Sequence, residues 1–117
     1  MGSPVLQFQI LSANPEAAAN FYSQLFGWSV DDNNAMGYRR IQTGSTEGIQ
    51  GGIWPAPPQS PTFAQLFSGV SDVKASAEFA VKLGAKLLIP PTVLPEGDEM
   101  CVLHDPQGMS FALWKRP

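Results

Sequence analysis

The feature that most restricts the fold of this chain is an internal repeat with an interval of 58 residues, measured from Asn14 to Asp72. NPEAAANFYSQLFGW at 14–28 and SDVKASAEFAVKLG at 71–84 share a helix cap, alanines, an aromatic residue and a leucine at this spacing. The matched pairs are Asn14 and Asp72, Ala17 and Ala75, Ala19 and Ala77, Phe21 and Phe79, and Leu25 and Leu83. Such a repeat in a chain of 117 residues predicts two copies of one supersecondary unit.

Both matched segments have the signals of a capped amphipathic helix. Asn14 suits the N-cap and Pro15 suits the first helical position. Apolar residues then recur at intervals of three and four, which predicts one buried stripe. In the first helix this stripe is expected to comprise Ala18, Phe21, Tyr22 and Leu25. We predict helices near residues 15–26 and 73–83.

Strands account for most of the remaining chain. The segment VLQFQIL at 5–11 alternates apolar and polar residues, as expected of a strand with one buried face. Later strands are predicted at 28–33, 36–43 and 48–54 in the first copy and at 86–89, 99–104 and 109–115 in the second. The proline-rich stretch PAPPQSP at 55–61 is an extended connector.

These elements predict the fold class α+β. Two tandem βαβββ units, residues 1–54 and 62–117, are expected to be related by a pseudo-twofold within one domain, residues 1–117. Each helix would cover one face of its sheet, and the opposite faces would form a curved cup.

Composition excludes several classes of protein. Apolar residues make up 44% of the chain and charged residues 15%, with a formal charge of −3, which is typical of a globular domain. Scattered basic residues argue against a nucleic-acid partner, and no apolar run approaches the roughly 20 residues of a membrane span. The single cysteine, Cys101, cannot form an internal disulfide. We predict a cytoplasmic protein that binds neither nucleic acid nor membranes.

Three segments resemble the vicinal oxygen chelate superfamily, which includes glyoxalase I, bleomycin-resistance proteins and extradiol dioxygenases. They are LQFQILSANPEAAANFYSQLFGW, SDVKASAEFAVKLGAKLLIPPT and LHDPQGMSFALW. The resemblance covers nearly the whole chain and is closest to the glyoxalase-like branch. It implies a fold of paired βαβββ units, but not one reaction, because the superfamily hosts several chemistries.

Metal-dependent members of this superfamily place ligands on the first and last strands of each half. Carried over by motif, these positions are Gln7, Gly52, Gln65 and Ala112. Catalytic metal sites usually use about three protein ligands, mostly carboxylates and imidazoles, and neutral amides supply no charge. The strand at 48–54 has no acid, and Glu47 lies only at its edge. We therefore predict no metal and no other cofactor.

Alternation along the strands predicts which side chains line the cup. The expected ligand-binding residues are Gln7, Gln9, Gln50, Trp54, Gln65, Phe67, Ser110 and Trp114. Amides and indoles suit a neutral or cationic planar molecule that stacks on tryptophan and is held by a few hydrogen bonds to the amides. In the alternative interpretation, the two tryptophans close the ends of the sheets as core residues.

Other reactive residues fit structural roles better. Alternation sends Tyr38 and Arg40 to one face and Arg39 to the other, so one arginine could reach the cup, although a solvated edge is the simpler interpretation. His104 is interpreted as a turn residue away from the cup, and Cys101 as an inert apolar strand residue. No catalytic residue is assigned.

Three function classes remain open. The chain is predicted to bind a small molecule without catalysis, as in the bleomycin-resistance branch. The alternative is a lyase or isomerase of glyoxalase type that acts on a small carbonyl compound without a metal, or with a ligand from a partner chain. The third class is a structural or regulatory protein with a vestigial cup.

The expected assembly is a homodimer, because a small two-unit chain leaves sheet edges that need cover. Trp28 is a candidate contact residue and, equally, a candidate cap on the local core.

Overall fold

The computed structural model describes residues 2–34 and 36–117. The chain divides into two compact units, which we call the first unit (residues 7–65) and the second unit (residues 2–6 and 66–117). Across the described residues, every helix is too short or too polar to cross a membrane.

Two helices begin at equivalent caps, as the repeat predicts. Helix α1 spans Pro15–Phe26 and helix α2 spans Val73–Lys82. The Asn14 side chain accepts a hydrogen bond from the Ala17 backbone N–H at 3.1 Å, and Asp72 accepts one from Ala75 at 3.0 Å. Each cap satisfies one of the backbone donors that a helix N-terminus leaves free.

The predicted buried stripe is wrong for Phe21 and Leu25, which are both 59% exposed. The inward-facing residues of α1 are Pro15, Ala18, Ala19, Tyr22 and Ser23, and those of α2 are Val73, Ser76, Ala77 and Ala80. Most of these side chains are small, so each helix lies close to its sheet and its larger apolar residues point outward. Their repeat partners at the second helix, Phe79 and Leu83, are likewise exposed, at 62% and 66%. The two helices are therefore equivalent in the residues that they expose.

The first unit has a four-stranded sheet with the order β2-β3-β4-β1. Its strands are β1 (Val5–Ser12), β2 (Ser29–Asp31), β3 (Arg39–Gln42) and β4 (Gln50–Pro55). From Gln7 onward β1 runs parallel to β4, and the other two pairs are antiparallel.

The second unit has the order β5-β8-β7-β6. Its strands are β5 (Phe63–Gly69), β6 (Lys86–Val93), β7 (Glu99–His104) and β8 (Ser110–Lys115). Here β5 is parallel to β8, as β1 is to β4. Register repeats as well, because Gln9 lies opposite Gly52 and Phe67 opposite Ala112. The predicted α+β class with two βαβββ units is confirmed.

Strand β6 extends beyond the predicted 86–89 and includes Pro90 and Pro91. It lies at the edge of the second unit's sheet, and its register against β7 shifts twice. Proline cannot donate to a β-ladder, but an edge strand with bulges tolerates it. The prolines therefore do not end the strand.

The helix side of the second unit is its main core. Val73 and Ala77 of α2 pack with Cys101, Leu103 and Leu113 from the sheet, and all five residues are buried. Burial raises the pKa of the Cys101 thiol, and nearby Glu99 also raises it, whereas a backbone hydrogen bond to Leu113 lowers it. The interpretation of Cys101 as an unreactive apolar residue is consistent with this environment.

Aromatic residues form the equivalent helix side of the first unit. Trp28 packs on Phe8, Tyr22 and Phe26 with ring centroids 4.9–5.7 Å apart. Phe8 also covers Gly51, where an added Cβ would meet its ring at 2.5 Å. Trp28 is therefore a cap on the local core, which is one of its two predicted roles.

Candidate functional site

We call the sheet face opposite the helix the open face of each unit. In the first unit, Phe8 points to the helix side, so alternation along β1 places Gln7, Gln9 and Leu11 on the open face. Register then adds the β4 residues Gln50, Gly52 and Trp54, which lie opposite these three in order. Gln9 and Leu11 are buried, whereas Gln7, Gln50 and Trp54 are half-buried.

Gln9 lies directly opposite Gly52, and Gln7, the predicted ligand position on β1, lies opposite Gln50. Arg40 of β3 is the partner of Gly52 on its other side, so the three residues form one row across the sheet. Gln9 is 8% exposed, although no helix covers this face. A buried amide needs hydrogen-bond partners, so Gln9 is the buried polar group of this row, whereas Arg40 at its other end is exposed.

Gln50 has a structural role that the sequence did not indicate. Its Oε1 accepts a hydrogen bond from the Thr43 backbone N–H at 2.6 Å, and its Nε2 donates to the Thr43 hydroxyl at 3.1 Å. These bonds tie β4 to the end of β3. Gln50 therefore has less hydrogen-bonding capacity for a ligand than predicted.

Tyr38 lies on the open face directly over Gly52. An added Cβ at Gly52 would overlap the Tyr38 hydroxyl, so glycine is required for this close approach. The Tyr38 ring also packs on the Trp54 indole, with centroids 5.9 Å apart. Trp54, a predicted stacking residue, thus already has an aromatic neighbour.

The Tyr38 hydroxyl is buried and, within residues 2–34 and 36–117, has no hydrogen-bond partner. Burial raises the pKa of this phenol well above its ordinary value, and the charge of Arg40 offsets part of the rise. The hydroxyl therefore stays protonated at neutral pH. A buried hydroxyl without a partner is unfavourable, and this one lies in the centre of the open face.

The open face of the second unit is apolar at the equivalent positions. Phe67, Val102 and Ala112 are buried together, with Met100 and Trp114 packed against them. The face contains the predicted ligand residues Phe67 and Trp114, whose rings are 6.2 Å apart.

His104 is placed differently from its prediction. It is the last residue of β7 and lies directly opposite Ser110. Residues opposite each other in an antiparallel pair share a face, so His104 is on the open face with Ser110 and not away from it. Ser110 is 8% exposed and Gln65, on β5, is 5% exposed.

Trp114 is fixed by its neighbours. Its indole N–H donates to Asp98 Oδ2 at 2.8 Å, and the Arg116 guanidinium lies over the ring, 5.7 Å from its centroid. It also borders an open groove of about 470 Å³ that is lined by residues 2–4, Leu6, residues 69–71 and residues 114–116. No sequence pattern indicated Asp98 or this groove.

The residues at the four superfamily ligand positions do not fit a divalent cation. Two are neutral amides, one is alanine, and the phenol of Tyr38 occupies the side-chain space at Gly52. Among the described residues, no group of three or more His, Cys, Asp or Glu side chains could hold a metal ion. A metal site would also require a charged donor set, so no step is assigned to a metal.

Tyr38 is the site residue that the sequence interpretation undervalued. Alternation correctly placed Tyr38 and Arg40 on one face, but assigned Tyr38 no role in the site. The informative signal was the glycine pair Gly51-Gly52 within a strand, because glycine in a strand often marks a close approach of other groups.

Comparison with known proteins identifies relatives of this chain. Residues 7–114 match the glyoxalase-like domain. A proposed glyoxylase of Mycobacterium tuberculosis, CFP32, is 29% identical over 111 residues, which cover 89% of this chain and 42% of that protein. The chain thus spans less than half the length of this relative.

Two solved structures share the fold. The hypothetical protein BH1468 from Bacillus halodurans has a TM-score of 0.71 at 10% identity, covering 100% of this chain and 96% of that one. Methylmalonyl-CoA epimerase from Mycobacterium tuberculosis has a TM-score of 0.67 at 16% identity, covering 100% and 93%. The resemblance to the vicinal oxygen chelate superfamily is confirmed, and the chain belongs to the glyoxalase-like domain family.

Proposed function

We propose that this protein binds a small planar molecule on the open face of the first unit without a catalytic metal. The observation that supports this most directly is the polar row at Gln9, Gly52 and Arg40, with Gln9 buried where no helix packs. Trp54 supplies an aromatic surface beside this row, and Gln7 supplies a half-buried amide. Few polar groups beside aromatic surface are typical of ligand sites.

The test is a binding screen against planar neutral and cationic aromatic compounds, followed by thermal shift and tryptophan fluorescence. For a compound that binds, Gln7→Leu or Gln9→Leu should cost about 1–3 kcal/mol of binding free energy, because one ligand group loses its partner. Trp54→Phe should cost about 0.5–1.5 kcal/mol. Gln24→Leu, on the exposed side of α1, is the matched control.

If the open face is only packing surface, the glutamine variants will bind every compound as the wild type does. Chelator should leave the melting temperature unchanged, and a stoichiometric divalent ion in purified protein would contradict the metal-free proposal.

A second candidate is a lyase or isomerase that acts on a small carbonyl compound. What supports it is the naming of relatives, one as a glyoxylase and one as a methylmalonyl-CoA epimerase. Both names imply chemistry next to a carbonyl group. NMR in D₂O would detect deuterium incorporation beside the carbonyl of methylglyoxal or its thiol adduct. Incorporation no faster than in buffer would exclude this reaction for that compound.

We also propose that two copies of this chain form a homodimer through their helices. Phe21 and Phe79, with Leu25 and Leu83, expose equivalent apolar pairs on α1 and α2. Exposed apolar patches mark interaction sites, and the repeat gives one chain two patches of the same chemistry. Light scattering should give a dimer mass at micromolar concentration and a monomer mass for Phe21→Ser with Phe79→Ser. A monomeric wild type would contradict the proposal.

A further inference from the structure

The Tyr38 side chain combines three features that ordinary core packing does not require. Its ring fills the space over Gly52, its hydroxyl is buried, and that hydroxyl has no partner in the described part of the chain. Water cannot supply the missing hydrogen bond, because the hydroxyl oxygen is closed off from solvent. Leaving a polar group in this state destabilises the conformation that buries it.

The backbone of Tyr38, in contrast, is held firmly. Asn34 Oδ1 accepts a hydrogen bond from the Tyr38 N–H at 2.9 Å, and Asn34 Nδ2 donates to the Tyr38 carbonyl at 2.6 Å. One amide side chain thus satisfies both backbone groups of Tyr38. Rotation of the Tyr38 side chain would free its hydroxyl for water without breaking either bond.

Rotation would also uncover a defined space. Its floor would be the Gly52 backbone, which has no side chain. Gln9 lies opposite Gly52, and the Trp54 indole packs against the present position of the phenol ring. A space vacated by a phenol ring, with an amide and an indole beside it, suits a flat six-membered ring with a hydrogen-bonding substituent.

We propose that Tyr38 is a displaceable plug over a binding space for a flat, ring-sized ligand on Gly52. The inference rests on the proposed small-molecule function and names the ligand class: a planar six-membered ring with a carbonyl or amide substituent that can pair with Gln9. The ligand replaces the phenol ring, and the Tyr38 hydroxyl gains water when it leaves. The cost of burying an unpartnered hydroxyl thereby favours rotation of the Tyr38 side chain away from Gly52.

Two substitutions at Tyr38 have opposite expected effects. Tyr38→Phe removes the unpartnered hydroxyl but keeps the ring, so the plug fits better, the melting temperature rises and ligand affinity falls. Tyr38→Ala removes the plug, so affinity rises. If Tyr38 instead donated directly to the ligand, both variants would lose affinity.

The probe is benzamide, and toluene is the comparison compound without a hydrogen-bonding group. Titrations followed by tryptophan fluorescence and ligand-observed NMR should rank affinity as Tyr38→Ala above wild type above Tyr38→Phe. The step from Tyr38→Phe to wild type should be about five-fold or more, the factor that follows from one unpartnered buried group, and Tyr38→Ala should bind more tightly still because the ligand displaces no ring. Tyr22→Phe, which removes the other phenol of the chain, is the matched control and should leave benzamide affinity unchanged.

Adding Gln9→Leu to Tyr38→Ala locates the site, because it should weaken benzamide binding and spare toluene. Equal benzamide affinity in wild type and Tyr38→Phe, or no gain of benzamide affinity in Tyr38→Ala, would contradict the proposal that Tyr38 is a displaceable plug. Absence of benzamide binding in every variant would also overturn it. A hit in the wider screen that is weakened by Gln7→Leu would still support the proposed function on its own.

Discussion

The open faces of the two units occupy equivalent positions in the repeat but differ in chemistry. In the first unit the row across the sheet is Gln9, Gly52 and Arg40, and in the second it is Phe67, Ala112 and Val102. Both rows follow the same register, and each is followed two residues along by a tryptophan on the last strand. The helix sides, by comparison, have equivalent caps and face inward at four matching pairs of positions.

This contrast separates the parts of the sequence that specify the fold from those that are free to specify a site. In both units the helix side carries a cap and mostly small inward residues that repeat at one interval. The open face can then carry a packed apolar cluster or a polar row without a change of register. We therefore expect a ligand to bind to the first unit, because its open face is polar where that of the second unit is apolar.

The largest expected difference between the two faces concerns stability. Phe67→Ala should lower the free energy of unfolding by about 3–5 kcal/mol, because Phe67 is 5% exposed within an apolar cluster. The equivalent change, Gln9→Ala, should cost only about 1 kcal/mol. Urea denaturation measures both. Equal costs would mean that the polar row supports the fold as strongly as the apolar cluster does.

Gly52 and Ala112 provide the next contrast. Gly52→Ala should destabilise by about 1–3 kcal/mol, because the new Cβ overlaps the Tyr38 hydroxyl. Most of this cost should disappear in a Tyr38→Ala background, where the space is free. The reverse substitution in the other unit, Ala112→Gly, should cost about 1–2 kcal/mol, from backbone entropy and from the loss of a buried methyl group. A cost at Gly52 that is independent of Tyr38 would place the clash elsewhere.

The helix caps should behave alike in the two units. Asn14→Ala and Asp72→Ala each remove one side-chain acceptor with nearly the same geometry. Each should cost about 1 kcal/mol of unfolding free energy. A large difference between the two, measured by thermal denaturation, would show that the repeat is less equivalent on its helix side than the hydrogen bonds indicate.

The smallest expected effects on stability come from two buried groups that are protonated at neutral pH, the Tyr38 phenol in the first unit and the Cys101 thiol in the second. Burial raises the pKa of both Tyr38 and Cys101 in the folded state, so their contribution is complete at neutral pH and is lost as pH rises. Stability should begin to fall above the ordinary thiol pKa of about 8.5 and fall further above the ordinary phenol pKa of about 10. Urea denaturation between pH 8 and 11 should show the second decline in wild type but not in Tyr38→Phe. Cys101→Ala should remove the first.

Much of the fold could be predicted from sequence because it depends on local signals. Asn14, Pro15 and Asp72 mark helix starts by capping chemistry alone, and alternation in β1 correctly separates Gln9 from Phe8. The interval of 58 residues then relates the second unit to the first. These signals can be interpreted without knowledge of the tertiary contacts between elements.

The errors arose where packing decides the outcome. Apolar periodicity selected Phe21 and Leu25 as buried, but the sheet accepts the smaller neighbours Ala18 and Ala19. Gln50 lies on the open face as expected, but its hydrogen bonds to Thr43 could not be predicted, because they form only when β3 and β4 pair. The position of Tyr38 over Gly52 depends equally on a contact between residues on two strands.

Strand β6 has a consequence for the behaviour of the protein in concentrated solution. Leu87, Leu88, Ile89 and Val93 are all exposed along the edge of the second unit's sheet. An apolar edge of this kind ordinarily recruits strands from other molecules and seeds fibrils. Pro90 and Pro91 remove two consecutive backbone N–H donors from this strand, and its register against β7 shifts twice near them. The same two prolines that obscured the strand in the sequence thus make it a poor template for aggregation.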